Sequence, residues 1–452
     1  MLFDTVIQNA RAMDPETGLD AQRNIGILDG RIAAVTTEKL TGKEQYDAMG
    51  LIASPGFIDI HTHEDTLQTE GHDGKVPAPT QTALSAMKTG CTTIVTGNCG
   101  MSAENMALYS QALAEANLPI RVAYQVGNMA LRSLQGLDEY TNANTEQIAA
   151  MGKALQTGLS TGALGASFGL QYAPGTSREE FTALCKELKR AGKYAAVHMR
   201  YDFPAKAIQA VKEVVEVAQE TGVSMQISHL AANVYGAGMI EEAARLIENS
   251  GADITCDMYP YNVWATGLQS AVFDDGFNSF NFGVEDLEIL TGPYAGEYCT
   301  AALFQKLRTT QEDTQVACHN AMPLEDVVHA YSLPFVFMGS DGQLIKDAAG
   351  HIKGHPRGAT SPVKFLSEFV RDKHCCTLME GIAKLTLLPA KRCGFEKRGR
   401  LQQGCDADIT LFSLEQLRVE AGFGVDVCAK PPAGIKLVLG QGKRVWEEPK
   451  ST

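Results

Sequence analysis

The stretch that decides the fold is FIDIHTH, residues 57–63. An apolar run of this length predicts a buried strand, and the run ends in His61 and His63. Side chains two positions apart on a strand point to the same side, so both imidazoles can bind one metal ion. The alternative is a plain pair of polar residues at a strand end. The long preceding run GLIASPGFIDI favours the metal.

Seven more short apolar runs follow, separated by segments with apolar residues at helical spacing. The runs are TTIVTGN (92–98), RVAYQVG (121–127), GALGASFGL (162–170), YAAVHMR (194–200), SMQISHL (224–230), ADITCDMYPY (252–261) and FVFMGSDG (335–342). Several of the helical segments end at glycine, as a helix stop should. Eight strands that alternate with helices predict an α/β fold, a (β/α)8 TIM-like barrel rather than an open sheet.

The two ends of the chain have a different pattern. Residues 1–55 and 400–452 alternate apolar and polar positions between turn signals such as Asp29-Gly30. We expect both termini to build one small β-sandwich domain, with two separate β-extensions as the alternative. Residues 56–399 would then form the barrel. Residues from about 264 to 321 break its alternation, which predicts either a substrate lid or an ordinary packing insertion on the active face.

Several other predicted strands also end in metal-binding side chains. His198, His229 and Asp341 each close an apolar run, and Cys99 follows the second run. One such residue alone would be read as a satisfied polar group or a buried thiol, but packing does not explain the whole set. Imidazoles with a carboxylate suit Zn²⁺, and a zinc site with an open position activates water. A thiolate is also a good zinc ligand and can bridge two ions.

Composition narrows the class of protein. The chain has 452 residues, a formal net charge of −14, 44% hydrophobic residues and 20% charged residues. These values argue against disorder and against a nucleic-acid partner. No apolar stretch is long enough for a membrane span, so we expect no membrane partner. The N-terminal stretch lacks signal-peptide features and the 11 cysteines are odd in number, which predicts reduced thiols in the cytoplasm. The composition is compatible with both a monomer and a homo-oligomer.

These motifs resemble the amidohydrolase superfamily and, within it, the D-aminoacylase (N-acyl-D-amino-acid deacylase) family. The resemblance covers nearly the whole chain. The stretches that carry it are GFIDIHTHED (56–65), TGNCG (96–100), SFGLQYAPG (167–175), AVHMR (196–200), QISH (226–229), DMYPY (257–261), GSDG (339–342) and HPRGATSPVKFL (355–366). The resemblance implies a metal-dependent hydrolase of the amide bond in a small-molecule N-acyl-D-amino acid, with Zn²⁺ as the cofactor.

The resemblance also implies roles for single residues. Cys99 would bridge in place of the carbamylated lysine of dihydroorotase-like relatives, and the fourth predicted strand indeed has no lysine. His198 and His229 would hold one tight zinc ion with Cys99. His61 and His63 would hold a second metal that is weaker or absent.

Two further roles concern the reaction and its substrate. By the same resemblance, Asp341 would ligate metal or water and act as the general base. Arg357 offers a planar fork for a substrate carboxylate and Tyr172 offers a hydroxyl. The alternatives for these two are a surface-loop charge and a packing residue.

One departure from the family pattern concerns specificity. The deacylases carry Ser-His-x-Lys at the sixth strand, whereas this chain has Ser228-His229-Leu230-Ala231. The missing lysine puts an acidic substrate such as an N-acyl-D-glutamate in question. Two other functions stay open at this point. One is a cyclic amidase of hydantoinase or dihydroorotase type, and the other is a non-catalytic amidohydrolase-like scaffold.

Overall fold

The fold is seen in a computed structural model that describes residues 2–63, 80–201, 204–236, 238–274, 282–310 and 314–449. The strands are β1 (Leu2–Asp14), β2 (Leu19–Leu28), β3 (Arg31–Thr36), β4 (Thr41–Asp47), β5 (Ile52–Pro55), β6 (Phe57–Asp59), β7 (Cys91–Thr96), β8 (Arg121–Tyr124), β9 (Val126–Gly127), β10 (Gly165–Gly169), β11 (Tyr194–His198), β12 (Ser224–Ile227), β13 (Ile254–Met258), β14 (Trp264–Gly267), β15 (Leu287–Ile289), β16 (Gln315–Cys318), β17 (Val336–Met338), β18 (Leu344–Lys346), β19 (Ile352–Gly354), β20 (Ile409–Phe412), β21 (Ile435–Gly440) and β22 (Lys443–Glu447).

Helices lie between most of the inner strands. They are α1 (Thr80–Ala86), α2 (Met106–Ala116), α3 (Asn128–Ser133), α4 (Thr145–Ser160), α5 (Arg178–Arg190), α6 (Pro204–Thr221), α7 (Leu230–Asn233), α8 (Met239–Asn249), α9 (Ala301–Arg308), α10 (Leu324–Ser332), α11 (Arg357–Lys364), α12 (Leu378–Leu385) and α13 (Leu387–Arg392), with a π-helical segment at Phe365–Asp372 and short 3-10 turns at Met87–Thr89, Ala271–Phe273, Val284–Asp286 and Val427–Ala429. None of the described helices is long and apolar enough to cross a bilayer.

Strands from both ends of the chain pair in one sheet. Its order is β22-β21-β20-β5-β1-β2-β3, and β4 pairs with β1. The predicted hairpin turn connects β2 to β3, with positive φ at Asp29 (50°) and Gly30 (71°), as a tight two-residue turn requires. Inward side chains from the two termini pack into one cluster, for example Ile7 and Ile25 against Leu411 and Leu437. Strands from the two ends of the chain therefore share one sheet and one apolar cluster.

All eight predicted inner runs contain a parallel strand. β6, β7 and β8 form one sheet, and β9-β10-β11-β12-β13-β17 form a second. Strands β10 and β11 are buried on both faces, which explains why their sequences are continuous apolar runs. The two sheets meet at a backbone bridge between Thr62 and Gly342. They also meet where the Leu164 N–H, directly before β10, donates to the carbonyl of Tyr124 at the end of β8 at 2.9 Å. Because the strands are parallel, their carboxyl ends lie at one edge.

The helices between the strands follow from their sequence. In α5, Ser177 caps the first turn by accepting from the Glu180 N–H at 3.2 Å. Phe181, Leu184 and Leu188 recur at helical spacing and are fully buried. Helices of this kind cover the outer faces of the parallel strands and leave the carboxyl ends free for function.

Residues 264–321 interrupt the alternation of parallel strands and helices. They contain the antiparallel sheet β14-β16-β15 and helix α9. Residues 275–281 and 311–313 of this segment lie outside the described residues. The Asp-, Phe- and Asn-rich stretch from Asp274 to Phe282 falls largely on the first of these gaps.

Candidate metal centre

The structure brings all six predicted metal ligands to the carboxyl ends of the parallel strands. They form two overlapping buried groups, and within each group the ligand atoms lie within 4.8 Å of one another. The first group is His61, His63, Cys99 and Asp341, and the second is Cys99, His198 and His229. Cys99 belongs to both groups, so its sulfur lies at the junction of two ligand sets.

Three of these residues have a left-handed backbone. The φ angle is 53° at Cys99, 36° at His229 and 51° at Asp341. A non-glycine residue held in this region costs about 1–3 kcal/mol, so the surrounding structure must hold these turns in place. The Asp341 N–H donates to the His61 carbonyl at 2.8 Å and fixes one of them. The strained turns lie just beyond the ends of three different strands.

His61 is fully buried, and each of its ring nitrogens has a different partner. Nδ1 lies 3.0 Å from Oδ1 of Asp257, an acceptor that makes Nδ1 the donor. In the neutral ring the Nε2 lone pair therefore faces Cys99 Sγ at 3.4 Å and Asp341 Oδ1 at 3.3 Å. The same Asp257 oxygen accepts from the His229 N–H at 2.9 Å. One carboxylate thus orients two of the candidate ligands.

His198 and His229 are oriented by side-chain amides. Nε2 of His198 lies 2.8 Å from Oε1 of Gln171, and Nδ1 of His229 lies 2.7 Å from Oδ1 of Asn233. Each outer nitrogen therefore donates in the neutral ring, and the inner lone pairs of His198 Nδ1 and His229 Nε2 face each other at 3.0 Å. Facing lone pairs repel unless a proton or a cation lies with them.

The Cys99 sulfur has the electrostatics of a thiolate ligand. It is 2% exposed and lies 3.6 Å from His229 Nε2. Burial alone would raise the pKa of the thiol, but in the metal-free protein the positive charge of a protonated His61 ring holds that pKa well below its ordinary value. A soft thiolate with imidazole nitrogens is a donor set that suits zinc. The residues present therefore fit a zinc ion.

Asp341 connects the metal ligands to the neighbouring cavity. Its Oδ1 lies 2.8 Å from Nε2 of His63, and its Oδ2 pairs with Nη2 of Arg357 at 2.9 Å. Burial alone would raise the pKa of this carboxyl, but Arg357, His61 and His63 hold it well below its usual range. Asp341 is therefore a carboxylate at neutral pH. The Nδ1 atom of His63 is buried without a hydrogen-bond partner among the described residues.

A cavity of about 170 Å³ opens beside Asp341 and contains both predicted substrate-binding residues. The Tyr172 ring lies 4.5 Å from the His198 ring, and its hydroxyl lies 3.0 Å from Oγ1 of Thr266. Arg357 is 5% exposed, so it is not a surface-loop charge. Its Nε and Nη1 atoms are buried without hydrogen-bond partners among the described residues. Part of the cavity wall comes from residues 264–321, including Leu290.

Sequence reasoning missed the residues that orient the ligands. Asp257, Gln171 and Asn233 each bind the outer nitrogen of a candidate ligand. The available signal was a polar residue inside or just after a buried apolar run, as at Asp257 in ITCDM. His355 was also missed. Its Nδ1 accepts from the Arg357 N–H at 3.0 Å, and it lines the same cavity.

Comparison with known proteins identifies the relatives of this fold. The chain is 29% identical to the D-aminoacylase of Alcaligenes xylosoxydans xylosoxydans, over 99% of this chain and 95% of that protein. It is also 29% identical to the N-acyl-D-glutamate deacylase of the same organism, over 99% and 94% of the two chains. The crystal structure of N-acyl-D-glutamate deacylase from Bordetella bronchiseptica, complexed with zinc and a phosphonate inhibitor, superposes with a TM-score of 0.86 at 26% identity and covers 100% of this chain and 98% of that one.

The sequence profile of the amidohydrolase family matches residues 52–439, which include all six candidate ligands. The relatives confirm the resemblance that the motifs predicted. The chain belongs to the amidohydrolase family.

Proposed function

We propose that the protein is a zinc-dependent hydrolase that cleaves the amide bond of N-acyl-D-amino acids or close analogues. The products are a carboxylate and a free amino acid. The observation that carries this proposal is the convergence of Cys99, four strand-end histidines and Asp341 beside a cavity that contains Arg357. The similarity to a D-aminoacylase and to an N-acyl-D-glutamate deacylase supports the same chemistry.

The two ligand groups would hold the metal. Cys99, His198 and His229 would hold the tighter zinc ion, and His61, His63 and Asp341 would share Cys99 with it in a weaker second site. Zinc bound there supplies Lewis acidity, which polarises the amide carbonyl and makes water a better nucleophile. Strand β10 contains no lysine, and this favours a cysteine-centred deacylase over a cyclic amidase.

Asp341 is the residue that would move the proton. It is ionised, it lies between the ligands and the cavity, and His63 and Arg357 hold both of its oxygens. It would accept the proton of the attacking water and deliver it to the leaving nitrogen, so that the amine departs neutral. This single carboxylate would act first as general base and then as general acid.

The cavity would hold the amino-acid half of the substrate. Arg357 presents two buried donors that have no hydrogen-bond partner within the described part of the chain. The neutral ring of His355 carries its proton on Nε2, because Nδ1 already accepts a hydrogen bond. Buried donors of this kind suit a carboxylate beside the scissile bond. Ala231, at the position of the family lysine, is fully buried. Among the described lining residues Arg357 is the one Lys or Arg side chain, so a neutral substrate side chain is favoured over an acidic one.

We further propose that the eight parallel strands close into a (β/α)8 barrel within residues 56–399. The contacts at both junctions between the two parallel sheets support this closure. Residues 1–55 and 400–452 would form the small β-sandwich domain around the shared terminal sheet. Residues 264–321 would serve as a wall of the substrate cavity.

The proposal is tested with a panel of N-acetyl-D-amino acids, their L enantiomers and a hydantoin, each incubated with zinc-loaded protein. Amine release is followed with an amine-reactive dye, and ring opening is followed by absorbance. The expected result is amine release from D substrates with neutral side chains. Ring opening of the hydantoin without deacylation would instead support the cyclic amidase.

A further inference from the structure

The amide bond of the substrate has to lie where two cavities meet. A second cavity, of about 30 Å³, lies beside His198 and His229. Asp341, Tyr172 and Thr266 line both this cavity and the larger one that contains Arg357. Because Asp341 must reach the scissile bond, the two halves of the substrate extend from this shared wall in different directions.

The larger cavity has the chemistry for the amino-acid half, because it contains Arg357. The smaller cavity is then left for the acyl group. Its remaining wall is mostly apolar and includes Trp264, Val272 and Ala232, each 6% exposed. An apolar wall suits the alkyl end of an acyl group, and the charged amine product would not be stable there.

The smaller cavity has room for very little. One water-sized group occupies roughly 10–15 Å³ of such space, so about 30 Å³ holds roughly two or three heavy atoms. That is the size of the carbonyl oxygen and methyl group of an acetyl unit. A longer chain would need the wall to move.

The wall has little freedom to move. The Trp264 ring is stacked with Phe273 at a centroid distance of 6.0 Å and meets the edge of Phe282 at 5.8 Å. Trp264 also belongs to β14, which is paired with β16 along four residues from Trp264 to Gly267. Close-packed aromatic walls of this kind resist the insertion of extra methylene groups.

We infer that the cavity formed by Trp264, Val272, Ala232 and Tyr259 is the acyl site, and that it restricts the substrates to short acyl groups, formyl and acetyl. This inference rests on the proposed function and adds the acyl class to it. Trp264 is the residue that sets the limit, since it is the largest side chain in the wall of this cavity and is itself packed against Phe273 and Phe282.

The test is an acyl-length series on one amino acid, from N-formyl to N-acetyl, N-propanoyl and N-butanoyl-D-leucine, with zinc-loaded protein. We expect kcat/KM to fall at least tenfold with the first methylene beyond acetyl, and further with the second. In Trp264→Ala the butanoyl-to-acetyl ratio of kcat/KM should rise at least tenfold. Trp446→Ala, which changes the chain's other tryptophan in β22 of the terminal sheet, should leave the ratio unchanged.

Each outcome has a separate meaning. Equal turnover of acetyl and butanoyl substrates by the wild-type protein would overturn the inference while leaving the proposed function intact. An unchanged ratio in Trp264→Ala would also overturn it. If that variant does not fold, Val272→Ala enlarges the same cavity by a smaller volume, and its propanoyl-to-acetyl ratio of kcat/KM should rise. No hydrolysis of any member of the series would overturn the proposed function and this inference with it.

Discussion

Replacing Cys99 with alanine removes the one side chain that both ligand groups share. Loss of a residue that only orients a ligand typically costs 10–100-fold in metal affinity, so loss of the bridging ligand itself should cost more than about 100-fold. The fold should survive, because alanine meets the same left-handed backbone at φ 53° as cysteine does. Only one buried sulfur is lost, at a cost of about 1 kcal/mol.

The assay for Cys99→Ala combines zinc content after dialysis with the rate of amine release from an N-acetyl-D-amino acid. Cys91→Ala is the matched control, because Cys91 is a fully buried thiol at the other end of the same stretch, at the start of β7. The control should keep its zinc and its activity, and both variants should unfold within a few degrees of the wild type. Normal zinc content and normal turnover in Cys99→Ala would refute the bridging role.

Three further substitutions test the neighbouring residues. Asp341→Asn should lower kcat by about 10²–10⁴-fold without changing the unfolding transition, which steady-state kinetics and thermal melting would show. Asp257→Asn removes the charge that orients His61 and should weaken binding of the second zinc ion, the one assigned to His61, about 10–100-fold in a chelator competition; unchanged affinity at that site would contradict the role. Burial raises the pKa of Asp59 to about 6, so its contribution to the stability of the metal-free protein is present below pH 4 and lost as the pH rises through 6. The free energy of unfolding of Asp59→Asn, relative to that of the wild type, should therefore be up to about 3 kcal/mol higher at pH 8 than at pH 4, as measured by urea unfolding. If the two free energies of unfolding change with pH in parallel, the explanation is wrong.

The candidate ligands could be predicted because their signal is local. Each is a polar side chain directly after a short apolar run, as His198 is after YAAV, and parallel strands bring such ends to one edge. The β2–β3 turn was predictable for the same reason, because Asp29 and Gly30 are residue types that favour the positive φ angles of a tight turn.

The orienting residues could not be predicted because their signal is not local. Asp257 contacts His61 although the two residues are 196 positions apart in the sequence, and this contact depends on how the strands pack side by side. Asn233 acts through a ring nitrogen whose direction follows from the left-handed turn at His229. The size of the acyl site depends likewise on the placement of Trp264 against Phe273, which no spacing in the sequence specifies.

The most direct test of the central claim is a zinc titration of the metal-free protein with an N-acetyl-D-amino acid as substrate. Amine release is measured against the amount of zinc bound. The account predicts no turnover without zinc, activity that rises with the first equivalent of bound zinc, and loss of activity when a chelator removes it. A protein that binds no zinc, or one that binds zinc but releases no amine from any N-acyl-D-amino acid, would contradict the account.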